Sequence, residues 1–181
     1  IGHIDSAIKA IALNLKMNDL VILRSTVPVG LTRNLIVPKL EKLSKLIAGK
    51  DFGVSFAPER TLEGRALAEL ETNPQIIGGL DKQSLLQTSD LFSSLTPDIV
   101  KVSSIEAAEM IKIIDNAYRD SIFSFSNEIG LLSEKLGLDA SELIDAANYN
   151  YPRNSISKPS PGVGGACLSK GPHILAHFSR N

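Results

Sequence analysis

Residues 19–30 read DLVILRSTVPVG: a short apolar run that ends in an arginine and two hydroxyl residues, followed by proline and glycine. The fold follows from how that run is taken. DLVILRS is too short to be a helix, and its aliphatic content, closed off by Asp19 and by the Pro28 to Gly30 punctuation, marks a compact strand. Working outward, residues 4–16 before it carry the spacing of an amphipathic helix, and residues 31–47 after it are again helical, entered through Pro28. The alternation continues: FGVSFAP (52–58) reads as a strand, 64–70 as a short helix, QIIGG (75–79) as a strand, 81–91 as a helix and DIVKV (98–102) as a last strand. Strands separated by helices predict parallel βαβ units with helices on both faces of one open α/β sheet across residues 1–102. In such sheets ligands sit at the carboxyl ends of the strands, which directs attention to RSTVPVG and APERTLEGR.

From Ser103 to Gly137 the pattern changes. Apolar residues fall at 111, 114, 118, 122, 125, 129, 132 and 136, and Ser103 followed by Glu106 spells a capping box, so one helix of about 33 residues, roughly 50 Å long, is predicted. That exceeds what a small domain needs; the helix is expected to connect two domains or to build a subunit interface. A shorter helix at 141–147 follows, then the loop NYNYPRNSISKPSPGVGG (148–165), and a further helix opens from Cys167 onward. No G-x-G-x-x-G occurs, so the half of a dinucleotide fold that grips a pyrophosphate is not in this sequence.

Composition narrows the partners. The 181 residues are 43% hydrophobic and 22% charged, as in ordinary globular chains, and 19 basic against 20 acidic residues leave a net charge of -1. Nothing there favours nucleic acid or an anionic membrane. No run approaches the ~20 apolar residues of a membrane span, no signal peptide opens the chain, and one cysteine excludes an intrachain disulfide scaffold. A cytosolic location is the expectation. The sequence opens without methionine, directly in a helical pattern, and reads as part of something longer.

Several side chains carry chemistry. Lys112 and Asn116 are four apart on one helix face; taken alone, Lys112 is a solvated lysine with Glu109 as its i-3 partner. Cys167 alone reads as a small buried side chain, but three glycines lead it into a helix start whose free N–H groups stabilise a thiolate, and Lys170 adds positive charge. Glu59 and Glu63 frame a strand-to-helix loop, where a carboxylate orients water or meets a sugar hydroxyl, or simply complements the helix dipole. His173 and His177 are spaced as metal ligands but lack a third, so no metal is expected.

Together STVPVG, APERTLEGRAL, QIIGG, EMIKIIDNAY, YPRNSI and PGVGGACLSK, in this order and spacing, resemble the nucleotide-sugar 6-dehydrogenases, the UDP-glucose/GDP-mannose dehydrogenase family, over essentially the whole chain. PER and YPRNSISKPSPGVGG look most like the UDP-N-acetylmannosamine branch. The resemblance implies an NAD-dependent, two-step oxidation of a sugar C6 hydroxyl to a carboxylate through a covalent cysteine intermediate, for surface polysaccharide precursors. It implies that Cys167 is the nucleophile and that Lys112 and Asn116 polarise the C6 oxygen. The same resemblance implies that Glu59 assists water or proton transfer, with Thr26 orienting the water, and that Ser25, Thr26, Glu63 and Lys170 lie toward the cofactor. It further implies that Glu59, Arg60, Lys112, Asn116, Arg153 and the glycines Gly162, Gly164 and Gly165 hold the UDP-sugar. The fold implied is the second half of a doubly wound Rossmann-like domain (1–102), then an all-helical central segment (103–181) that forms a homodimer through its long helix, with a C-terminal UDP-binding domain absent.

One position departs from the family. Relatives carry aspartate after the lysine of C-x-x-K-D-P, and this chain has Gly171. Loss of a general base costs ~10²- to 10⁴-fold, so Gly171→Asp is expected to restore activity. The other readings are a UDP-glucose dehydrogenase, a relative of the 6-phosphogluconate or 3-hydroxyacid dehydrogenases, which share the Lys-x-x-x-Asn spacing, and a non-catalytic dimerisation fragment.

Overall fold

The computed structural model describes residues 2–162, 165, 168 and 170–178. The chain forms two compact units, Ile1–Lys112 and Ile113–Asn181. In the first, α1 (Gly2–Asn14) leads to β1 (Leu20–Leu23), a π-helical turn (Thr32–Ile36) runs into α2 (Val37–Ser44), and β2 (Gly53–Phe56), α3 (Ala66–Thr72), β3 (Gln75–Gly79), α4 (Lys82–Ser93) and β4 (Ile99–Lys101) follow. The widened turn precedes Pro38, which has no N–H to give to residue 34 and whose ring crowds that carbonyl; a wider spacing relieves both.

The four strands lie in the order β1-β2-β3-β4, so that among the described residues one side of β1 has no strand partner, with all of Leu20–Leu23 half-buried. β1 is parallel to β2 and β3 to β4, but β2 and β3 are antiparallel, through Ser55 opposite Gly79 and Phe56 opposite Gly78. This corrects the expectation of parallel units throughout. The seven residues of α3, none of them buried, rise only about 10 Å and do not carry the chain back to the start of the sheet. β3 therefore sets out from the end where β2 stops, and the twelve-residue α4 makes the full return.

Side-chain alternation assigns the two faces. Val54, Phe56 and Ile76 pack with Ile8, Ile36, Leu40 and Ile105, whereas Ala57 and Ile77 pack with Phe92, Leu85 and Ile22 on the opposite side. Gly78 is required at its position: a Cβ there would stand 2.2 Å from the Ser104 carbonyl oxygen, so β3 runs directly beneath the start of α5 (Ile105–Leu136). The cap of α5 is Ser104, whose hydroxyl accepts from the Ala107 N–H at 3.1 Å, one residue later than the sequence pattern indicates. Glu106 reaches instead to Arg33 at 2.6 Å.

The second unit holds the rest of α5, then α6 (Ala140–Asn148) and α7 (Gly171–Phe178). The Asn148 side chain both donates to and accepts from the backbone of Ile156, at 2.8 and 3.0 Å, which ties the loop back onto α6. The apolar stripe of α5 does not face this unit's core: Ile114, Tyr118, Phe125, Leu132 and Leu136 are all at least 47% exposed.

Candidate active site

Arg24, Ser25 and Thr26 follow the last residue of β1, and Glu59, Arg60 and Thr61 lie three to five residues past β2, at the same end of two parallel neighbours. The Glu59 N–H donates to the Arg24 carbonyl at 3.2 Å, so the main-chain contact continues past the strands. Across it the side chains pair: Arg24 Nη2 is 2.7 Å from Glu59 Oε2, while Glu59 Oε1 accepts from the Thr61 N–H at 2.9 Å. Ser25 is exposed and Thr26 half-buried; Glu63 is exposed in the turn before α3. Beside them an open apolar cavity of about 160 Å³ is lined by Ile8, Val21, Leu23, Arg24, Ser25 and Val27. The carboxyl end of β1 thus brings Ser25 to the wall of an apolar hollow, the end of the sheet at which ligands of open α/β folds sit.

Burial pushes the Glu59 carboxyl up, but the Thr61 N–H and hydroxyl, then the Arg24 charge and the Arg60 N–H, outweigh it and hold the pKa below the ordinary glutamate value. The hydrogen bond from Arg33 holds Glu106 low as well. A depressed carboxylate stabilises the fold fully above the unfolded-state pKa and loses that contribution as pH falls through the folded one. Thermal unfolding followed at stepped pH is therefore expected to show the first unit weakening below the ordinary glutamate range. The variant Glu59→Gln with Glu106→Gln should flatten that limb, and an unchanged limb would refute the assignment.

Glu109 departs most from the sequence reading. Instead of standing in solvent beside Lys112, it is fully buried. Oε2 accepts from the Gly30 N–H at 2.6 Å, and Oε1 accepts from the Thr32 N–H at 3.0 Å and the Thr32 hydroxyl at 2.5 Å. This carboxylate clamps the end of the loop that carries Thr26 onto the helix that carries Lys112. Glu109 shares one helix face with 105, 113 and 116, and all four are buried. Lys112 is half-buried, one turn further on.

In the second unit Asn116 is 4% exposed and its Nδ2 has no acceptor among the described residues. Gly171, the first residue of α7, lies against it: a Cβ on Gly171 would be 2.7 Å from the Asn116 Cβ. A side chain at position 171 meets this contact, because its first atom has no room unless the helices shift. Overpacking of this kind costs about 1–3 kcal/mol. Gly171→Ala and Gly171→Asp should both lower the melting temperature of the second unit, and a melting curve for Gly171→Asp equal to wild type would show that the helices part without cost. The Arg153 guanidinium stacks over Tyr151 at 4.7 Å, Gly162, Gly165 and Lys170 are exposed, and Cys167 and Gly164 lie outside the described residues. The described residues contain no cluster of three metal-ligating side chains. Nor do they form a helix long and apolar enough to cross a membrane.

Comparison with known proteins covers both units. Residues 1–96 match the NAD binding domain of the UDP-glucose/GDP-mannose dehydrogenase family, and residues 106–181 match its central domain. A UDP-N-acetyl-D-mannosamine dehydrogenase of Methanocaldococcus jannaschii is 35% identical over 99% of this chain and 40% of its own length. An NDP-N-acetyl-D-galactosaminuronic acid dehydrogenase of Ralstonia solanacearum is 38% identical over 96% of this chain and 42% of its own. The solved UDP-D-ManNAc dehydrogenase of Pyrococcus horikoshii superposes with a TM-score of 0.91 at 36% identity, over 99% of this chain and 42% of that one. The chain thus spans about two fifths of the length of the relatives it matches.

Proposed function

The chain belongs to the UDP-glucose/GDP-mannose dehydrogenase family, and from that membership we propose that it is part of an enzyme oxidising the C6 hydroxyl of a UDP-N-acetylhexosamine to the uronate, a precursor for surface polysaccharides. UDP-N-acetylmannosamine is the favoured substrate, in line with the relatives in Methanocaldococcus, Pyrococcus and Yersinia that carry that name. The observation that carries the reading is Asn116: a buried amide with a donor left unmatched, one turn from Lys112 on the same helix. Such a donor costs stability unless a ligand oxygen takes it up.

In this reading Lys112 and Asn116 hold the C6 oxygen and stabilise the negative charge that develops on it. NAD, when bound, accepts two hydrides in turn. Glu59, ionised and held in place, receives a proton or orients water, with Thr26 positioning that water. The Cys167 thiolate adds to the aldehyde carbon; the adduct loses the second hydride to leave a thioester, and water releases the acid and returns the thiol. Ser25, Glu63 and Lys170 lie toward the cofactor, while Arg60, Arg153 and the 162–165 glycines hold the nucleotide sugar. The chain pairs with a second copy through α5, whose exposed Tyr118, Phe125, Leu132 and Leu136 repeat with the spacing of a packing seam.

The test is the stoichiometry of the full-length enzyme on UDP-N-acetylmannosamine: two NADH and one uronate for each sugar. One NADH per sugar, or turnover that survives alkylation of Cys167, would defeat the thioester route. Preference for UDP-glucose would move the substrate assignment and leave the chemistry in place.

A further inference from the structure

Arg24 carries a cost that packing does not explain. Its guanidinium is stacked over Phe92 at 5.1 Å and reaches Gln75 Oε1 at 3.5 Å, yet its Nε is buried with no acceptor among the described residues. A methionine would cover the same ring without burying an unmatched donor. What the arginine adds is the 2.7 Å contact to Glu59 Oε2.

That contact completes a two-sided grip. The Thr61 N–H holds Oε1 from within the Glu59 loop, and Arg24 holds Oε2 from the neighbouring strand's end. A carboxylate fixed through both oxygens cannot turn about its terminal torsion, while the Glu59 side chain, 44% exposed, keeps its remaining lone pairs open to an incoming group. Phe92 and Gln75 in turn fix the arginine from α4 and β3.

We propose that Arg24 is a positioning residue for Glu59, holding the carboxylate plane across the carboxyl ends of β1 and β2 so that its free lone pairs face the reacting group. The inference rests on the reading of Glu59 given above. The structure places Thr61, Arg60 and Arg24 around that carboxyl, and Arg24 supplies the charge.

The experiment needs neither cofactor nor substrate, so failure of the proposed reaction does not affect it. In the 181-residue chain with ¹³C-labelled glutamate, the Glu59 carboxyl is titrated by NMR in wild type, Arg24→Lys and Arg24→Gln. The midpoint is expected to move up toward the ordinary glutamate value in Arg24→Gln and to stay low in Arg24→Lys, which keeps the charge. An unmoved midpoint in Arg24→Gln would overturn the proposal. If Arg24→Gln does not fold, the reciprocal variant decides: in Glu59→Gln, which alters an exposed side chain, the Arg24 guanidinium protons should lose their protection from exchange. Unchanged protection there would equally overturn it.

Discussion

Glu109→Gln is expected to destabilise the first unit by about 4 kcal/mol. The amide can replace one carboxylate oxygen only by turning an NH₂ group toward either the Gly30 N–H or the Thr32 N–H, both buried contacts of 2.6 and 3.0 Å. One charge-assisted hydrogen bond is lost, ~1.5–3 kcal/mol, and one buried N–H is left without an acceptor, a further ~1–3 kcal/mol. Against total stabilities of about 5–15 kcal/mol this is a large fraction, on the order of 15 °C in melting temperature. Glu106→Gln, on the same helix, is the control: its pair with Arg33 is 30% and 41% exposed, and a pair of that kind contributes about 1 kcal/mol or less. Differential melting of the two variants reads the contrast. Equal loss in both would mean that the clamp on Gly30 and Thr32 does not hold this unit together.

Asn116→Ala is expected to show the reverse pattern, with stability kept or slightly raised and turnover of the full-length enzyme down ~10²- to 10³-fold, the usual effect of removing one donor to a developing oxyanion. Alanine favours the helix interior, removes the unmatched Nδ2, and keeps the Cβ against which Gly171 packs. The loss should fall on kcat, because the donor matters most when charge builds on the sugar oxygen. Unfolding curves measured beside the kinetics separate the cases: loss of folding with loss of rate would make Asn116 a structural residue, and full rate would remove it from the chemistry.

Local reading of the sequence located nearly every element. DLVILRS contains β1, QIIGG coincides with β3, and the predicted 103–137 helix is Ile105–Leu136. These succeeded because aliphatic runs, 3.6-residue spacing and Gly/Pro punctuation are local signals. Strand direction is not local: the antiparallel β2–β3 pair follows from the length of α3, a short helix in a sequence that reads as one more βαβ crossover. Glu109 was misplaced for a related reason. A charged residue three before a lysine resembles a surface pair, and only the partners 77 and 79 residues away reveal its burial. Arg24 gave no signal, since its meaning lies in Glu59, Gln75 and Phe92, each from a different element. Gly171 stood out as a departure from a motif, and the structure adds a point of helix contact that the motif does not signal.

The unpaired side of β1 has a practical consequence. Among the described residues no strand pairs with the outer side of Leu-Val-Ile-Leu, which has no lysine, proline or bulge to deter a neighbour and lies next to a hollow lined by Ile4, Ile8 and Ile11. Copies of the isolated polypeptide are therefore expected to pair at that row, and light scattering after a fixed time should rise more steeply than in proportion to concentration; a proportional rise would mean that the edge does not act as a template.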